Sequence, residues 1–214
     1  MQLQYFSSRS VSVINNKNIM AKQPKDLSII LMPDGPISYD GNSYKYSKGE
    51  RFYIDNLAND FKKIYLATFV LRVGDEAYES NLHSSFKSDN IEIIELPRAK
   101  TQNPSFFGKV YQFIKVFFVL IMNIRKADLA YFFLPSYPSA LGWVASKIFR
   151  KKHIVYGADD WVQASESMYK WEINNTKFLY KLYSKLNIFF ERKIVQSALF
   201  AVAAGGQLVE KYSN

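Results

Sequence analysis

The sequence predicts a three-layer α/β/α domain of the Rossmann-like type with a mainly parallel central sheet. The chain contains six short, nearly continuous apolar runs, which are typical of strands covered on both faces. Segments with apolar residues at helical spacing lie between these runs, and strands that alternate with helices form βαβ units. With 214 residues, 48% of them hydrophobic, the chain can bury the core of one sizeable domain.

The predicted elements follow one another along the chain from residue 27 onward. The segment 34–48, DGPISYDGNSYKYSK, has no periodicity and is predicted to be a long loop. The predicted helices cover 50–61, 105–126, 139–149 and 178–196. The predicted strands are LSIILM (27–32), KIYLATFV (63–70), IEIIEL (91–96), DLAYFFL (128–134), HIVYGA (153–158) and LFAVAA (199–204).

Composition narrows the classes of partner. Lys and Arg number 28 against 19 Asp and Glu, which gives a net charge of +9 and favours an anionic membrane, a phosphate or nucleic acid. The chain has no cysteine and only two histidines, so neither a disulfide framework nor a Cys/His metal site is predicted.

Several nucleotide-binding and catalytic motifs are absent. The first strand runs into Pro33, Asp34, Gly35 and Pro36, which do not fit the G-x-G-x-x-G pattern of dinucleotide sites. The chain also has no P-loop lysine motif and no G-x-S-x-G nucleophile elbow. We therefore predict no cofactor and no metal.

The N-terminus and the longest apolar run indicate where in the cell the protein is expected. Residues 1–26 are polar and are predicted to be a disordered leader without a signal peptide. The run VFFVLIM (116–122) is far shorter than the roughly 20 apolar residues that span a bilayer, so no transmembrane helix is predicted. We expect a cytoplasmic protein, peripheral on the inner face of the membrane.

Two candidate binding features stand at the predicted carboxyl edge of the sheet, where open sheets bind ligands. Gly49 precedes a helix with Glu50 in its first turn, an arrangement that suits an anion site, and an ordinary helix N-terminus is the favoured structural alternative. Asp159 and Asp160 follow a strand, and they could accept hydrogen bonds or a proton from a sugar hydroxyl. The structural alternative for the aspartates is a helix cap and a solvated carboxylate.

Two loops complete the predicted crevice. Gly35 follows the first strand, and Tyr137 belongs to LPSYPS, the turn after the fourth strand. Both are predicted to bind an acceptor or a phosphate. In the second loop, Ser136 and Ser139 also suit helix N-caps, which is the structural alternative.

Basic residues cluster on predicted helical surfaces. The segment 98–126 has six basic residues and no acidic one, and 147–152 forms a second basic group. Basic, aromatic-rich helices can lie on anionic headgroups, although solvated basic faces are also common. The residues predicted to face a membrane are Lys109, Lys115, Arg125, Lys126, Arg150 and Lys151.

The order of these features resembles the N-terminal half of a GT-B-type glycosyltransferase of the family-four-like group. The segment KGERFYIDNLANDF resembles the pattern G-G-x-E-R-x-x-x-x-L-A of that group, with Gly49 and Glu50 at the matching positions. The segment ERKIVQSALFAVAAGGQLVEKY (191–212) resembles the helix that leads into the last strand of that half. Asp159 and Asp160 stand where the group often has a His-Asp pair.

The resemblance implies a function in polysaccharide or glycoconjugate synthesis of the bacterial type. Residues 27–206 would be the acceptor-binding domain, for a sugar or lipid-linked acceptor, and 207–214 the start of a truncated helix. The nucleotide-sugar donor would bind a second domain or a partner chain, so we expect this chain to be inactive alone. The alternative is a non-catalytic basic module that docks on anionic membrane or, less favoured because nucleic-acid motifs are absent, on nucleic acid.

Overall fold

The computed structural model describes residues 23–33, 35–75, 78, 83–98, 106–157 and 177–203. They form an α/β fold around a six-stranded sheet that is parallel throughout, which confirms the predicted fold class. All six predicted apolar runs contribute a strand to it. In spatial order these are β10 (Ala201–Ala203), β9 (Lys152–Gly157), β8 (Leu129–Leu134), β1 (Ser28–Met32), β4 (Lys63–Thr68) and β7 (Ile91–Glu95).

Helices cover both faces of this sheet. Helix α1 (Lys48–Asp60) packs on one face, where its Ile54 joins the core cluster of Ile29 and Leu31. The alternate residues of β1, Ile30 and Met32, point to the opposite face. That face is covered by α2 (Phe106–Ile124), α3 (Tyr137–Ile148) and α4 (Lys177–Gln196). The observed helices agree with the predicted ones to within two residues at most ends.

The predicted long loop at 34–48 is wrong, because this segment contains two strands. They are β2 (Ile37–Tyr39) and β3 (Tyr44–Ser47), an antiparallel pair in a separate four-stranded sheet. The other two strands of this sheet are β5 (Val70–Arg72), parallel to β2, and β6 (His83–Ser85), antiparallel to β3. The predicted strand 63–70 therefore splits at Phe69 between the two sheets.

The chain ends fall partly outside the described residues. Within the predicted leader, Pro24–Asp26 forms one 3-10 turn before β1. Residues 1–22, the predicted turn at 205–206 and the predicted helix at 207–214 lie outside the described part.

Helix α2 is longer than the apolar run VFFVLIM (116–122) that it contains. By length and composition alone, Phe107–Ile124 could cross a membrane. In this fold it lies against the sheet and α3, with Val116, Leu120 and Ile124 fully buried in the core.

Candidate functional site

The strand order places a topological switch point between β1 and β8. From β1 the chain proceeds outward to β4 and β7, and from β8 it proceeds in the other direction to β9 and β10. Connections that diverge in this way leave a crevice beyond the carboxyl ends of the two central strands, where open α/β sheets bind ligands. The loop with Gly35 follows β1, and the loop with Ser136 follows β8.

Four aromatic side chains line the α1 side of this switch point, and we call them the aromatic cluster: Tyr53, Tyr131, Phe133 and Tyr156. Phe133 and Tyr156 are cross-strand partners at the carboxyl ends of β8 and β9, with ring centroids 5.1 Å apart. Tyr131 lies 5.2 Å from Phe133 on β8. Tyr53 of α1 meets Phe133 edge-on at 6.0 Å. The cluster therefore joins a helix to two neighbouring strands.

Two hydrogen-bonded tyrosine hydroxyls provide polar groups within the aromatic cluster. The hydroxyls of Tyr53 and Tyr131 lie 2.6 Å apart and share a hydrogen bond. Burial raises the pKa of both phenols, so both are uncharged at neutral pH. Tyr131 is buried, whereas Tyr53 is 38% exposed and accessible to a ligand.

Gly49 and Glu50 lie in the first turn of α1, both exposed. Gly49 stands four residues before Tyr53 and therefore on the same helix face, one turn nearer the helix N-terminus. Apart from its chain neighbours and the backbone of its own helix, no described atom lies within 4 Å of the point where a Cβ on Gly49 would be. The Glu50 carboxylate accepts a hydrogen bond from the hydroxyl of Ser47, so it is engaged in a local contact at the helix start.

Gly35 is fixed by the ends of two other strands. Its carbonyl accepts hydrogen bonds from the hydroxyl of Thr68 at 2.9 Å and of Tyr46 at 3.5 Å. Thr68 ends β4, and Tyr46 immediately precedes the Ser47 that starts α1. The loop after β1 is thus tied both to the carboxyl edge and to the segment that leads to Gly49.

Tyr137 lies at the same edge but on the opposite face of the sheet. Its ring packs against Phe69 at 5.6 Å and against Phe113 of α2 at 5.0 Å. Burial raises its pKa to about 12. The hydroxyl of Ser136 accepts a hydrogen bond from the Ser139 backbone N–H at 3.2 Å and caps α3 as predicted. Tyr137 therefore packs with the α2 side and not with the aromatic cluster.

The two predicted catalytic residues, Asp159 and Asp160, lie outside the described residues. The structure describes β9 as far as Gly157, whose neighbour Tyr156 belongs to the aromatic cluster.

The basic residues predicted to face a membrane occupy two different settings. Lys109 and Lys115 are exposed on α2, and the Lys115 ammonium lies 4.3 Å from the centre of the Tyr111 ring. Arg125, just beyond α2, lies 5.8 Å from the ring of Phe149. These three cations are at the surface of the α2 side.

The remaining three cations have other local roles. Lys126 lies 3.9 Å from a carboxylate oxygen of Glu92. Lys151 donates to the backbone carbonyls of Arg125 and Ala127, at 3.3 and 2.6 Å. Arg150 is exposed in the turn after α3, with φ of 52°. Lys151 therefore links the turn after α3 to the residues that directly follow α2.

A separate open depression of about 650 Å³ lies between α1, from Arg51 to Asn59, and the turn before β7. Part of its polar lining is paired, with Asp55 at the centre. The Asp55 carboxylate accepts from Arg51 Nη1 at 3.1 Å and from the backbone N–H groups of Lys87 and Ser88 at 3.0 and 3.3 Å. We interpret this depression as a structural contact region between α1 and the turn before β7.

Neither a group of metal ligands nor a match to a known protein identifies the ligand of this site. Among the residues that the structure describes, no three His, Asp or Glu side chains are grouped as metal ligands. No protein-family model matches the chain, and a search of curated proteins finds no significant match. The resemblance to glycosyltransferases therefore stays a prediction.

Sequence reasoning missed the aromatic cluster. It treated Tyr53 as one position of an apolar helical stripe and the other three residues as parts of buried strands. A usable signal existed, because Phe133 and Tyr156 are each the last residue but one of a strand. If the two strands are neighbours in a parallel sheet, such positions lie side by side at the carboxyl edge.

Proposed function

We propose that this chain is the acceptor-binding half of a glycosyltransferase that acts in polysaccharide or glycoconjugate synthesis. The aromatic cluster at the switch point carries the proposal. Ligand sites in open sheets occur at this position, and they combine aromatic surface with a few placed polar groups. The cluster has that composition, with four rings and the Tyr53–Tyr131 hydroxyl pair.

A sugar is the ligand class that this chemistry suits best. The C–H face of a pyranose packs on an aromatic ring, and a partly exposed tyrosine hydroxyl can exchange a hydrogen bond with a ring hydroxyl. Tyr53 offers both an aromatic ring and a hydroxyl, because the residue is 38% exposed and its hydroxyl already pairs with that of Tyr131. The open space beside Gly49, one turn away on the same helix face, leaves room for the rest of an acceptor.

The proposal assigns donor binding to another domain. Glycosyl transfer needs the diphosphate of the donor held and its developing charge stabilised. In the resembled group the second domain supplies those groups, and we expect a second domain or a partner chain to supply them here. The chain alone should bind acceptor sugars and show no transfer.

Titration with methyl hexosides tests the proposal. Saturation-transfer NMR of the full chain with methyl glucoside, galactoside and N-acetylglucosaminide should detect millimolar binding of at least one sugar. Tyr53→Ala should weaken that binding at least fivefold. Phe52→Ala is the matched control, since Phe52 is the neighbouring aromatic residue of α1, is 62% exposed and is not part of the aromatic cluster, and it should leave binding unchanged.

Two outcomes would contradict the proposal. Absence of binding for all sugars would favour the non-catalytic module instead. Equal weakening by Phe52→Ala would show that the sugars contact α1 nonspecifically. Both variants need a circular dichroism spectrum like that of the parent chain, so that loss of folding is recognised.

A further inference from the structure

Helix α2 presents an exposed apolar stripe on the side away from the sheet. Its residues follow one another at intervals of three or four positions, so they lie on one helix face. From the first to the last, the stripe is about 22 Å long at 1.5 Å per residue. We call these residues the α2 stripe: Phe107 (81% exposed), Tyr111 (60%), Ile114 (47%), Phe118 (59%) and Met122 (63%).

The other side of α2 anchors the helix in the domain. Val116, Leu120 and Ile124 are fully buried in the core cluster that α2 forms with the sheet. The Gln112 side chain also donates to the backbone carbonyl of Pro97. Since these contacts fix the rotation of the helix, the α2 stripe points outward.

The fold does not suit α2 as a transmembrane span, although its length allows one. Crossing a bilayer would withdraw Val116, Leu120 and Ile124 from the core and place Lys115 near the middle of the span. A charged side chain at the bilayer centre is costly. A helix that lies flat keeps both the core and a hydrated Lys115.

The segment that carries the α2 stripe is basic in sequence, and acidic residues from elsewhere in the fold lie beside two of its cations, Asp75 beside Arg98 and Glu92 beside Lys126. The segment 98–126 contains six basic residues and no acidic one. Lys109 and Lys115 are exposed on α2 itself, and Lys115 lies 4.3 Å from the ring centre of Tyr111. Lys115 borders the α2 stripe, whereas Lys109 stands seven residues before the buried Val116 and so lies on the other helix face. An apolar and aromatic stripe bordered by a basic residue matches the helices that bind in the interface of anionic membranes.

We propose that the α2 stripe docks this domain on an anionic membrane, with α2 parallel to the surface and its apolar side chains at the headgroup boundary. The lysines would contribute electrostatic attraction to the anionic lipids, and the stripe would contribute burial of apolar area. This surface is separate from the sugar site, and the inference stands whether or not that site binds sugar.

A second copy of the chain fits this face less well. In a two-fold dimer the same patch meets itself, so Lys115 of one copy would approach Lys115 of the other. No acidic residue of 98–126 is present to pair with them. Like charges brought together in this way disfavour the contact.

The N-terminal half of α2 lies beside the edge of the sheet at which the switch point opens. This half lies at the carboxyl edge, because Gln112 contacts Pro97 beyond β7 and Phe113 packs on Tyr137 beyond β8. The switch point opens at the same edge. The aromatic cluster is on the α1 side of the sheet, so a domain docked through the α2 stripe keeps the sheet between the cluster and the membrane.

Vesicle flotation with the full chain tests the proposal. The chain should float with vesicles of 70% phosphatidylcholine and 30% phosphatidylglycerol, and less with pure phosphatidylcholine. Phe118→Ser/Met122→Ser should weaken binding to the anionic vesicles about tenfold, since it removes apolar area from the interface. Lys109→Glu/Lys115→Glu should weaken it on anionic vesicles only.

The control variant is Phe52→Ser/Val73→Ser, which removes two side chains that are 62% and 68% exposed on other elements. It should bind vesicles as the parent chain does. Equal losses in the control and stripe variants, or no binding to either vesicle, would overturn the proposal. So would a stripe variant that abolishes a dimer in sedimentation while vesicle binding persists.

Depth measurements separate insertion from surface adsorption. Because the chain has no cysteine, Phe118→Cys and Phe52→Cys can each carry a single environment-sensitive nitrobenzoxadiazole label. The label at 118 should brighten with anionic vesicles and be quenched by lipids with a spin label on the acyl chain. The label at 52 should do neither, and the same response at both positions would contradict the proposal.

Discussion

The hydroxyl groups of Tyr53 and Tyr131 lie 2.6 Å apart and connect α1 to the central strand β8. This hydrogen bond fixes the helix against the sheet at the switch point. Its two ends differ in their surroundings, since Tyr131 is 6% exposed and Tyr53 is 38% exposed. The two ends should therefore respond differently to mutation.

Tyr53→Phe should destabilise the fold more than Tyr131→Phe. The first variant leaves the buried Tyr131 hydroxyl without this partner, at a cost of about 1–3 kcal/mol. The second leaves the hydroxyl of Tyr53, the less buried residue of the two, and should cost about 0.5–1 kcal/mol. The double variant should be no less stable than Tyr53→Phe. Urea denaturation of all four proteins measures this, and strictly additive effects would contradict the coupling.

Asp55 should be a principal stabilising residue of the α1 face. Its carboxylate, 12% exposed, accepts from Arg51 and from the backbone of Lys87 and Ser88. Asp55→Ala leaves these donors unpaired and should lower the free energy of unfolding by about 3 kcal/mol. Asp60→Ala, an exposed acidic residue at the end of the same helix, is the control and should change it by less than about 0.5 kcal/mol. Equal effects would refute the role of Asp55.

The main sheet was predictable because its strands are covered on both faces. Ile29 to Met32 and the central residues of β8 are buried on both sides, so each strand is a nearly continuous apolar run. The small sheet gave no such signal. Its strands are three or four residues long and partly exposed, and β2 pairs with the distant β5. Such pairing depends on tertiary contacts that a local pattern does not contain.

The edge of the sheet at which the candidate site lies was predictable, but the residues that form the site were not. Parallel strands alone place Gly35 and the turn before Tyr137 at one edge. The aromatic cluster depends on the register of Phe133 with Tyr156 and on the rotation of α1 that aims Tyr53 at Tyr131. Those relations follow from how the strands pair and how the helix packs, which the sequence patterns do not specify.

Gly142 should tolerate no larger side chain. It faces the sheet from α3, and a Cβ there would overlap the Met32 thioether and lie 3.1 Å from Phe132. Gly142→Ala should destabilise the fold by about 1–3 kcal/mol, because overpacking outweighs the gain in helix propensity. Gly49→Ala is the control, since no described atom lies within 4 Å of its Cβ position, and it should be neutral or stabilising. Thermal unfolding measures both, and a stabilised Gly142→Ala protein would contradict the packing.

His153 should make the fold sensitive to acid. It is 1% exposed, and its Nε2–H donates to the Ile194 carbonyl at 2.9 Å, which ties β9 to α4. Burial lowers the pKa of His153 from 6.5 to about 4. The unfolded chain therefore binds a proton between pH 6.5 and 4 that the folded chain does not, and stability falls as the pH falls through this range.

The loss attributable to His153 should reach up to about 3 kcal/mol at pH 4, relative to pH 7. Urea denaturation at several pH values measures it, with His153→Gln as the test variant, because glutamine cannot take up the proton. The difference in unfolding free energy between parent and His153→Gln should shrink or reverse as the pH falls from 7 to 4. His83→Gln, which removes the other histidine, is the control. If that variant flattens the acid slope and His153→Gln does not, the assignment to His153 is wrong.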